Sequence, residues 1–264
     1  MTSPKTIAEW VEEQQASGRY VFTRADVEAG LGGSEVAVQT ALRRLKQKGR
    51  IASPRRGFYV VAPPEYRAAG CPPASWFIDD LMKHLGRDYY VGILSAAALH
   101  GAGHQQPMVF QVIADRATRP MHAGRVRIDV HASKAVAAMP VNRVDTETGT
   151  MAVATPETTA FDLVRFFSAA GHWNNVATVL SELAEKIDGD RLVAVAPHVR
   201  LPDVQRLGYL ITAVGEGDLA EPLAHWLAKR RTSVVRLRTD QPAGEIEADQ
   251  CWRLVPNEQV DIDL

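Results

Sequence analysis

The stretch SEVAVQTALRRLKQKGRIASPRRGFYVV, residues 34–61, joins a helix with one apolar edge and a basic remainder to a short arginine-tipped hairpin. Val38, Ala41, Leu42 and Leu45 recur at i, i+3, i+4 and i+7, so they share one stripe of a 3.6-residue helix and form its core face. At about 100° per residue, Val36, Thr40, Arg43 and Gln47 fall on the opposite side, flanked by Gln39 and Arg44. Ser34 precedes the first helical residue and can cap it, while Gly32 and Gly33 permit a tight reversal out of the preceding segment. After Gly49, the short β-prone runs Ile51-Ala52 and Phe58-Tyr59-Val60-Val61 flank Ser53-Pro54-Arg55-Arg56-Gly57, which reads as a hairpin.

Upstream, Phe22 to Val27 looks like a helix start, with Thr23 as cap, Asp26 three residues on, and Phe22 able to staple to Val27. The helix that follows is short, to about Ala29. An earlier helix carries Ile7, Trp10, Val11 and Gln14 on one edge, runs from about Lys5 to Ala16, and ends at Gly18. Helix, helix, turn, helix and hairpin together make a winged helix-turn-helix.

Charge sharpens the reading. From residue 34 to 62 the bases are Arg43, Arg44, Lys46, Lys48, Arg50, Arg55 and Arg56, against the single acid Glu35, while the whole chain carries a formal charge of -1. Positive charge is thus gathered where a helix and wing can neutralise phosphates, and residues 63–264 are on balance acidic. The expected DNA-binding set is Ser34, Gln39, Thr40, Arg43, Arg44, Lys46, Arg55 and Arg56. Within it, Arg43, Arg44, Lys46, Arg55 and Arg56 suit phosphates, whereas Gln39, Thr40 and Arg43 can meet base edges. A phosphate cradle at Gly30 to Ser34 is the competing reading, but a dinucleotide site needs a strand before the glycines and an acid about twenty residues later. Here a helix precedes them, Ala52, Ser53 and Pro54 follow, and no carboxylates stand ready to hold magnesium.

The 264 residues suit two domains, and 46% hydrophobic content with 23% charge is enough for a sizeable core. Prolines at 63, 64, 72 and 73 with Gly70 interrupt every periodicity, so the expected division is a winged domain at 1–62, a linker at 63–73 and a second domain at 74–264. Beyond the linker, helices are expected from Ser75 to Gly86 and from about Tyr89 to His100. Alternating segments at 108–114, 125–131, 141–144 and 150–153 then predict strands, and in the second Val126, Ile128 and Val130 oppose Arg125, Arg127, Asp129 and His131. Helices near 156–168, 173–187, 203–214 and 218–230 follow, the first with Thr155 as cap and Pro156 at its first position. Val234 to Leu237, Cys251 to Pro256 and Gln259 to Asp263 read as late, short strands. Segregated strands and helices imply an α+β fold. Cys71 and Cys251 stand far apart, no signal peptide is evident and no apolar run can span a bilayer, so the expected setting is the cytoplasm.

A search for chemistry finds little. His100 and His104 could share a helix face as in some zinc sites, but glycines intervene and no third ligand is evident. Asp129 with His131 reads as a surface pair on one strand, and Asp79 and Asp80 diverge on their helix. The acidic end, with Glu245, Glu247, Asp249, Glu258, Asp261 and Asp263, reads as a solvated terminus or as a patch for a basic partner. The expectation is no enzyme, no cofactor and no metal.

Past the linker, YYVGILSAAALHGA at 89–102 resembles the signature segment of AbiEi-type antitoxins. TPETTAFDLVR at 155–165, NVATVLSELA at 175–184, QRLGY at 205–209 and WRLVPN at 252–257 are similar to later blocks of that family, in order. The resemblance implies a two-gene toxin–antitoxin pair of abortive infection or phage defence, with an AbiEii-like nucleotidyltransferase toxin as partner. It further implies an N-terminal domain that represses the operon by binding double-stranded DNA at promoter repeats, and a C-terminal domain that counters the toxin. No lysine-rich arm or nuclease domain is present, so DNA binding would rest on helix and wing. A monomer or weak dimer would bind cooperatively, with two copies on half-sites about one helical turn, or a multiple of it, apart. The alternative is a winged-helix transcriptional regulator whose C-terminal domain senses a ligand.

Overall fold

The computed structural model describes residues 6–32, 34–103 and 107–260. Its N-terminal part runs α1 (Ile7–Ala16), β1 (Val21–Thr23), α2 (Arg24–Leu31), α3 (Glu35–Gln47), β2 (Ile51–Arg55) and β3 (Phe58–Val61). Each helix starts where a hydroxyl can cap it. Thr6 and Thr23 form reciprocal capping boxes with Glu9 and Asp26, and the Ser34 side chain accepts from the Ala37 backbone N–H at 3.3 Å. Lys5 and Gly33 lie outside the described residues.

β1 was not anticipated. Phe22, read as a staple at a helix start, sits in a strand that completes an antiparallel sheet of order β1-β3-β2. Its ring packs edge-on to Trp10 and stacks on Tyr59, with centroids 5.3 and 5.4 Å apart. These rings join Val11, Val27, Val38, Leu42, Leu45, Ile51 and Val61 in a core beneath α3. Gly57, with φ +81°, closes the hairpin at a conformation that other residues resist.

The larger part holds α4 (Ile78–His84), β4 (Tyr89–Val91), α5 (Ile93–Leu99), β5 (Phe110–Ala114), β6 (Met121–Ala123), β7 (Val126–Ala132), β8 (Val141–Thr146) and β9 (Gly149–Ala154). Then come α6 (Pro156–Arg165), α7 (His172–Leu183), α8 (Gly189–Val195), α9 (Leu201–Ala213), α10 (Gly217–Ala228), β10 (Val235–Arg236) and β11 (Leu254–Val255). The architecture is α+β, with strands clustered before α6 and helices after it, as expected. One mixed sheet has the order β6-β7-β5-β4-β9-β8, and β10 pairs with β11 in a small parallel ribbon. In β7, Ile128 and Val130 are buried while Arg127 is exposed, the alternation its sequence predicts. α6 is buried along nearly its whole length, from Glu157 to Val164, which makes it the central helix against which α5, α7, α8 and α9 pack.

In this larger part, four readings differ from expectation. Tyr89 to Val91, read as the start of a helix, is an inner strand between β5 and β9. The chain leaves it through Gly92 and Ile93, the latter at φ +53°, where a β-branched side chain is strained. β6 and α8 were not foreseen, and no strand forms between Pro256 and Val260; Asp261 to Leu264 lie outside the described residues.

The two parts are joined by more than chain connectivity. β3 alternates, as a strand must, with Tyr59 and Val61 turned to the helices of the winged unit and Phe58 and Val60 buried in the core of the larger one. On β2, Ile51 faces the first core and Ala52 the second. Both faces of the wing are therefore covered. Trp76 takes Tyr20 and Tyr66 against its indole, at 5.0 and 5.3 Å, and Phe58 meets His84 at 5.3 Å. Between the parts, Pro63, Cys71 and Pro72 are buried, and the Arg125 backbone N–H donates to the Ala69 carbonyl at 2.8 Å.

Candidate nucleic-acid interface

The outward face of α3 is what periodicity predicts. Gln39, Thr40, Arg43, Arg44, Lys46, Gln47 and Lys48 are exposed, and Val36 keeps 71% of its surface open. Ser34 is exposed at the N-terminus of α3 with its oxygen engaged as the cap. The Thr40 hydroxyl donates to the Val36 carbonyl at 2.8 Å, so its own oxygen remains available to accept a hydrogen bond.

Electrostatics separates this face from its surroundings. Glu35 is the one acid of residues 34–62, and Arg24 reaches it at 2.7 Å while also holding Glu28 at 2.7 Å. Those carboxylates, Glu35 foremost, raise the pKa of the Arg24 guanidinium. Arg50 is likewise paired, to Glu12 at 2.6 Å. Among the described residues, Arg43, Arg44, Lys46, Lys48 and Arg56 make no ion pair. Pairing thus consumes the acid and leaves a row of free cations beside a hairpin tip at which Arg56 is exposed.

Arg55 stands apart from the other expected residues. It is half-buried, and its Nη2 donates to the Arg119 carbonyl of the larger unit at 2.8 Å, with β2 running beside β6. The structure therefore brings Ser34, Gln39, Thr40, Arg43, Arg44 and Lys46 together on α3, adds Arg56 from the tip, and turns Arg55 away into the contact between units. Just past that contact lies a second basic surface that periodicity alone did not single out, with Arg116, Arg119, His122, Arg125 and Arg127 exposed. Its signal in the sequence was composition, since residues 116–127 contain no acid.

The described residues of the other candidate constellations make contacts within the fold. His100 ends α5 with Nε2 2.7 Å from the Ala154 carbonyl, and its own carbonyl accepts from Lys186; His104 lies outside the described residues. His131 packs on Phe166 at 5.1 Å, and burial lowers its pKa against the opposing pull of Asp129, which is itself paired with Arg127 at 3.0 Å. Burial would push the Asp79 carboxyl up, but hydrogen bonds from Lys83, Tyr89 and Arg143 outweigh it and hold the group below its ordinary value. Among the described residues no three His, Cys, Asp or Glu side chains are grouped to hold a metal, and no helix is long and apolar enough to cross a membrane.

Residues 11–62 match a family model described as a transcriptional regulator, AbiEi antitoxin, and residues 90–213 match one described as the AbiEi antitoxin C-terminal domain. Among solved structures the chain is similar to the RV2827C protein from Mycobacterium tuberculosis, with 21% identity and a TM-score of 0.66 over 94% of this chain and 89% of that one. That likeness is one of fold. No curated protein matches the sequence.

Proposed function

Because the chain belongs to the AbiEi antitoxin family and carries that family's regulator model at its N-terminus, we propose that it neutralises a toxin encoded beside it and represses their shared operon. The antitoxin and regulator roles follow from the family. The operator, the partner and the residues are the proposal. Seated in the major groove, α3 presents Gln39, Thr40 and Arg43 to base edges, while Arg44, Lys46 and Arg56 take phosphates and Ser34 holds the helix start in place. Arg55 acts from behind, anchoring the hairpin that carries Arg56. The observation that supports this reading best is the unpaired cationic face of α3, with Glu35, the one acid in residues 34–62, already held by Arg24.

One helix and one tip cover little DNA, so stable occupancy needs two copies on repeated half-sites about one helical turn, or a multiple of it, apart. The toxin that fits the family resemblance is an AbiEii-like nucleotidyltransferase, and the cytoplasm is the compartment where promoter and toxin meet. The test is binding of the purified chain to a duplex from its own upstream region across a salt series. A steep fall in affinity with salt and a repeated footprint are the expected results. Affinity indifferent to salt, or a single unrepeated footprint, would defeat the operator assignment. Co-expression with the adjacent nucleotidyltransferase-like gene tests the antitoxin half, with restored growth expected; a transporter or metabolic gene in that place would favour a ligand-sensing regulator.

A further inference from the structure

We propose that the pocket between the end of α10 and the turn before β11 binds a small organic phosphate, with Arg230 and Arg253 on the phosphate and the apolar wall of α10 against the rest of the ligand. The lining residues, all between 224 and 253, lie outside both family matches, at 11–62 and 90–213. The site is therefore separate from the operator reading and does not depend on it.

Three observations carry it. The first is shape, because Ala224, Leu227 and Ala228 from α10 and Cys251 from the turn wall a pocket of about 380 Å³, a size that suits small molecules. The second is charge. Among the described residues, His225, Arg230 and Arg253 line the pocket and no carboxylate does. Asp249, at the start of the turn, uses its Oδ1 to accept from the Trp252 backbone N–H at 2.8 Å. Neither arginine makes an ion pair with a described residue, so two cations without counter-charges face an apolar wall, which strengthens their pull on an anion. The carbonyl end of α10 would repel an anion, but Arg230 covers it. Its Nη1 donates to the Trp226 carbonyl at 2.6 Å, and its guanidinium lies over the Trp226 ring at 3.4 Å.

The third observation is that the fold holds Arg253 in a conformation it would not choose. Its φ of +50° lies in the left-handed region, which a residue with a side chain resists, and such strain persists only where the surroundings over-determine it. Here they do. Asp249 and Leu254 exchange both backbone hydrogen bonds across the turn, at 2.8 and 3.2 Å. The buried Gln205 amide on α9 donates to the Ser233, Trp252 and Arg253 carbonyls at 3.0 to 3.1 Å. One side chain thus ties the segment after α10, which carries Arg230 and Thr232, to the turn that carries Arg253. Trp252 is buried against α9 so closely that a Cβ at Gly208 would come within 2.0 Å of its ring. The walls are ordered before a ligand arrives, which lowers the entropy lost on binding.

Cys251 supplies the readout, since it lines the pocket and is exposed, whereas the other cysteine, Cys71, is buried with its thiol pushed up to about 12. The rate at which a maleimide modifies Cys251 in the full chain is measured with inorganic phosphate, adenosine monophosphate, adenosine or the upstream duplex present, at ionic strength matched with sodium chloride, alongside a thermal melt. The expected result is saturable slowing by phosphate and by adenosine monophosphate, the latter at lower concentration, and none by adenosine. Arg253→Gly removes the guanidinium and suits the left-handed backbone, so it should raise the adenosine monophosphate concentration needed by about tenfold or more without lowering the melt. Arg253→Lys should fall between the two. Labelling that no probe slows, or equal slowing in the native chain and Arg253→Gly, would overturn the proposal. Slowing by adenosine equal to that by its monophosphate would make the pocket an apolar site, and monophosphate no better than inorganic phosphate would remove the apolar contact; either result defeats the assignment. Slowing by the duplex alone would give the patch to DNA and overturn it too. None of these outcomes bears on the promoter footprint, so this site and the operator reading fail separately.

Discussion

The outer face of α3 and the interior of the larger unit use charge in opposite ways. On α3, arginines and lysines project outward with no acid left to meet them. In the interior of the larger unit, Asp203 and Arg206 are buried and paired by the fold. Asp203, buried, is held by two Arg200 nitrogens at 2.8 and 2.9 Å, and by Arg206 at 3.6 Å. Arg206 in turn donates to the Arg236 and Leu237 carbonyls at 3.0 to 3.2 Å, tying α9 to the segment around β10. Groups of the second kind hold the molecule in shape; groups of the first kind contribute little to folding and remain free for a ligand. Substitutions in the two regions should therefore separate stability from binding.

The largest effect is expected at Asp203. Asp203→Ala strands the buried Arg206 guanidinium without its carboxylate, which should cost about 3–5 kcal/mol in chemical denaturation. Whatever folded protein remains should keep the native salt slope for DNA, and a changed slope would break the division just drawn.

Asp162 provides the next. Burial in α6 pushes its carboxyl up to about 8, only partly offset by the Tyr90 hydroxyl, which donates to Oδ1 at 3.2 Å. Among the described residues its Oδ2 has no hydrogen-bond partner. The folded pKa lies above the unfolded one, so the proton favours the fold. Stability should be fully retained below the ordinary carboxylate range and fall as pH rises toward 8, by about 1.4 kcal/mol per pH unit. Asp162→Asn keeps an acceptor for Tyr90 and should flatten that dependence in denaturant titrations between pH 5 and 8. A native chain already flat over that range would show Asp162 to be ionised.

On the cationic side, Arg43→Ala with Arg44→Ala should leave the unfolding midpoint unchanged, since exposed, unpaired side chains are worth within about 0.5 kcal/mol. The DNA salt slope should drop by about two units. Loss of stability instead would place these residues with the structural charges. The smallest shift distinguishes the neighbours at the tip. Arg56→Ala should cost about one unit of slope and nothing in stability, whereas Arg55→Ala should cost about 0.5–1.5 kcal/mol of stability through its lost hydrogen bond to Arg119. Interchanged outcomes would assign the phosphate contact to Arg55.

How far the sequence could be read follows from the range of the forces involved. The caps at Thr23 and Ser34, the stripe of α3, the wing turn at Gly57 and the alternation of β7 are set within a few residues, and all were legible. Tyr89 to Val91 was not, because three residues preceding an alanine-rich run become a strand only through pairing with β5 and β9, remote in sequence. β6, bounded by Pro120 and Gly124, is too short to show a period. α8 begins at a glycine directly after the helix expected near 173–187, and its cap Asp188 was not read as a start. For the interface, the sequence identified which face of α3 is free, but it could not tell Arg55 from Arg56, since their fates depend on a carbonyl 64 residues away. The neighbouring basic run was visible in composition, and its place beside the wing was not.

Because each strand of the hairpin spends one side on its own helices and the other on the larger unit, α3 has no swivel. Its heading relative to the rest of the molecule is set at folding, so under the proposed operator reading half-sites moved by a few base pairs could not be followed by reorientation within one subunit. Severing the chain between residues 63 and 73 would not free an independent reading head either: it would bare Ala52, Phe58 and Val60 and leave two sticky fragments in place of two working modules.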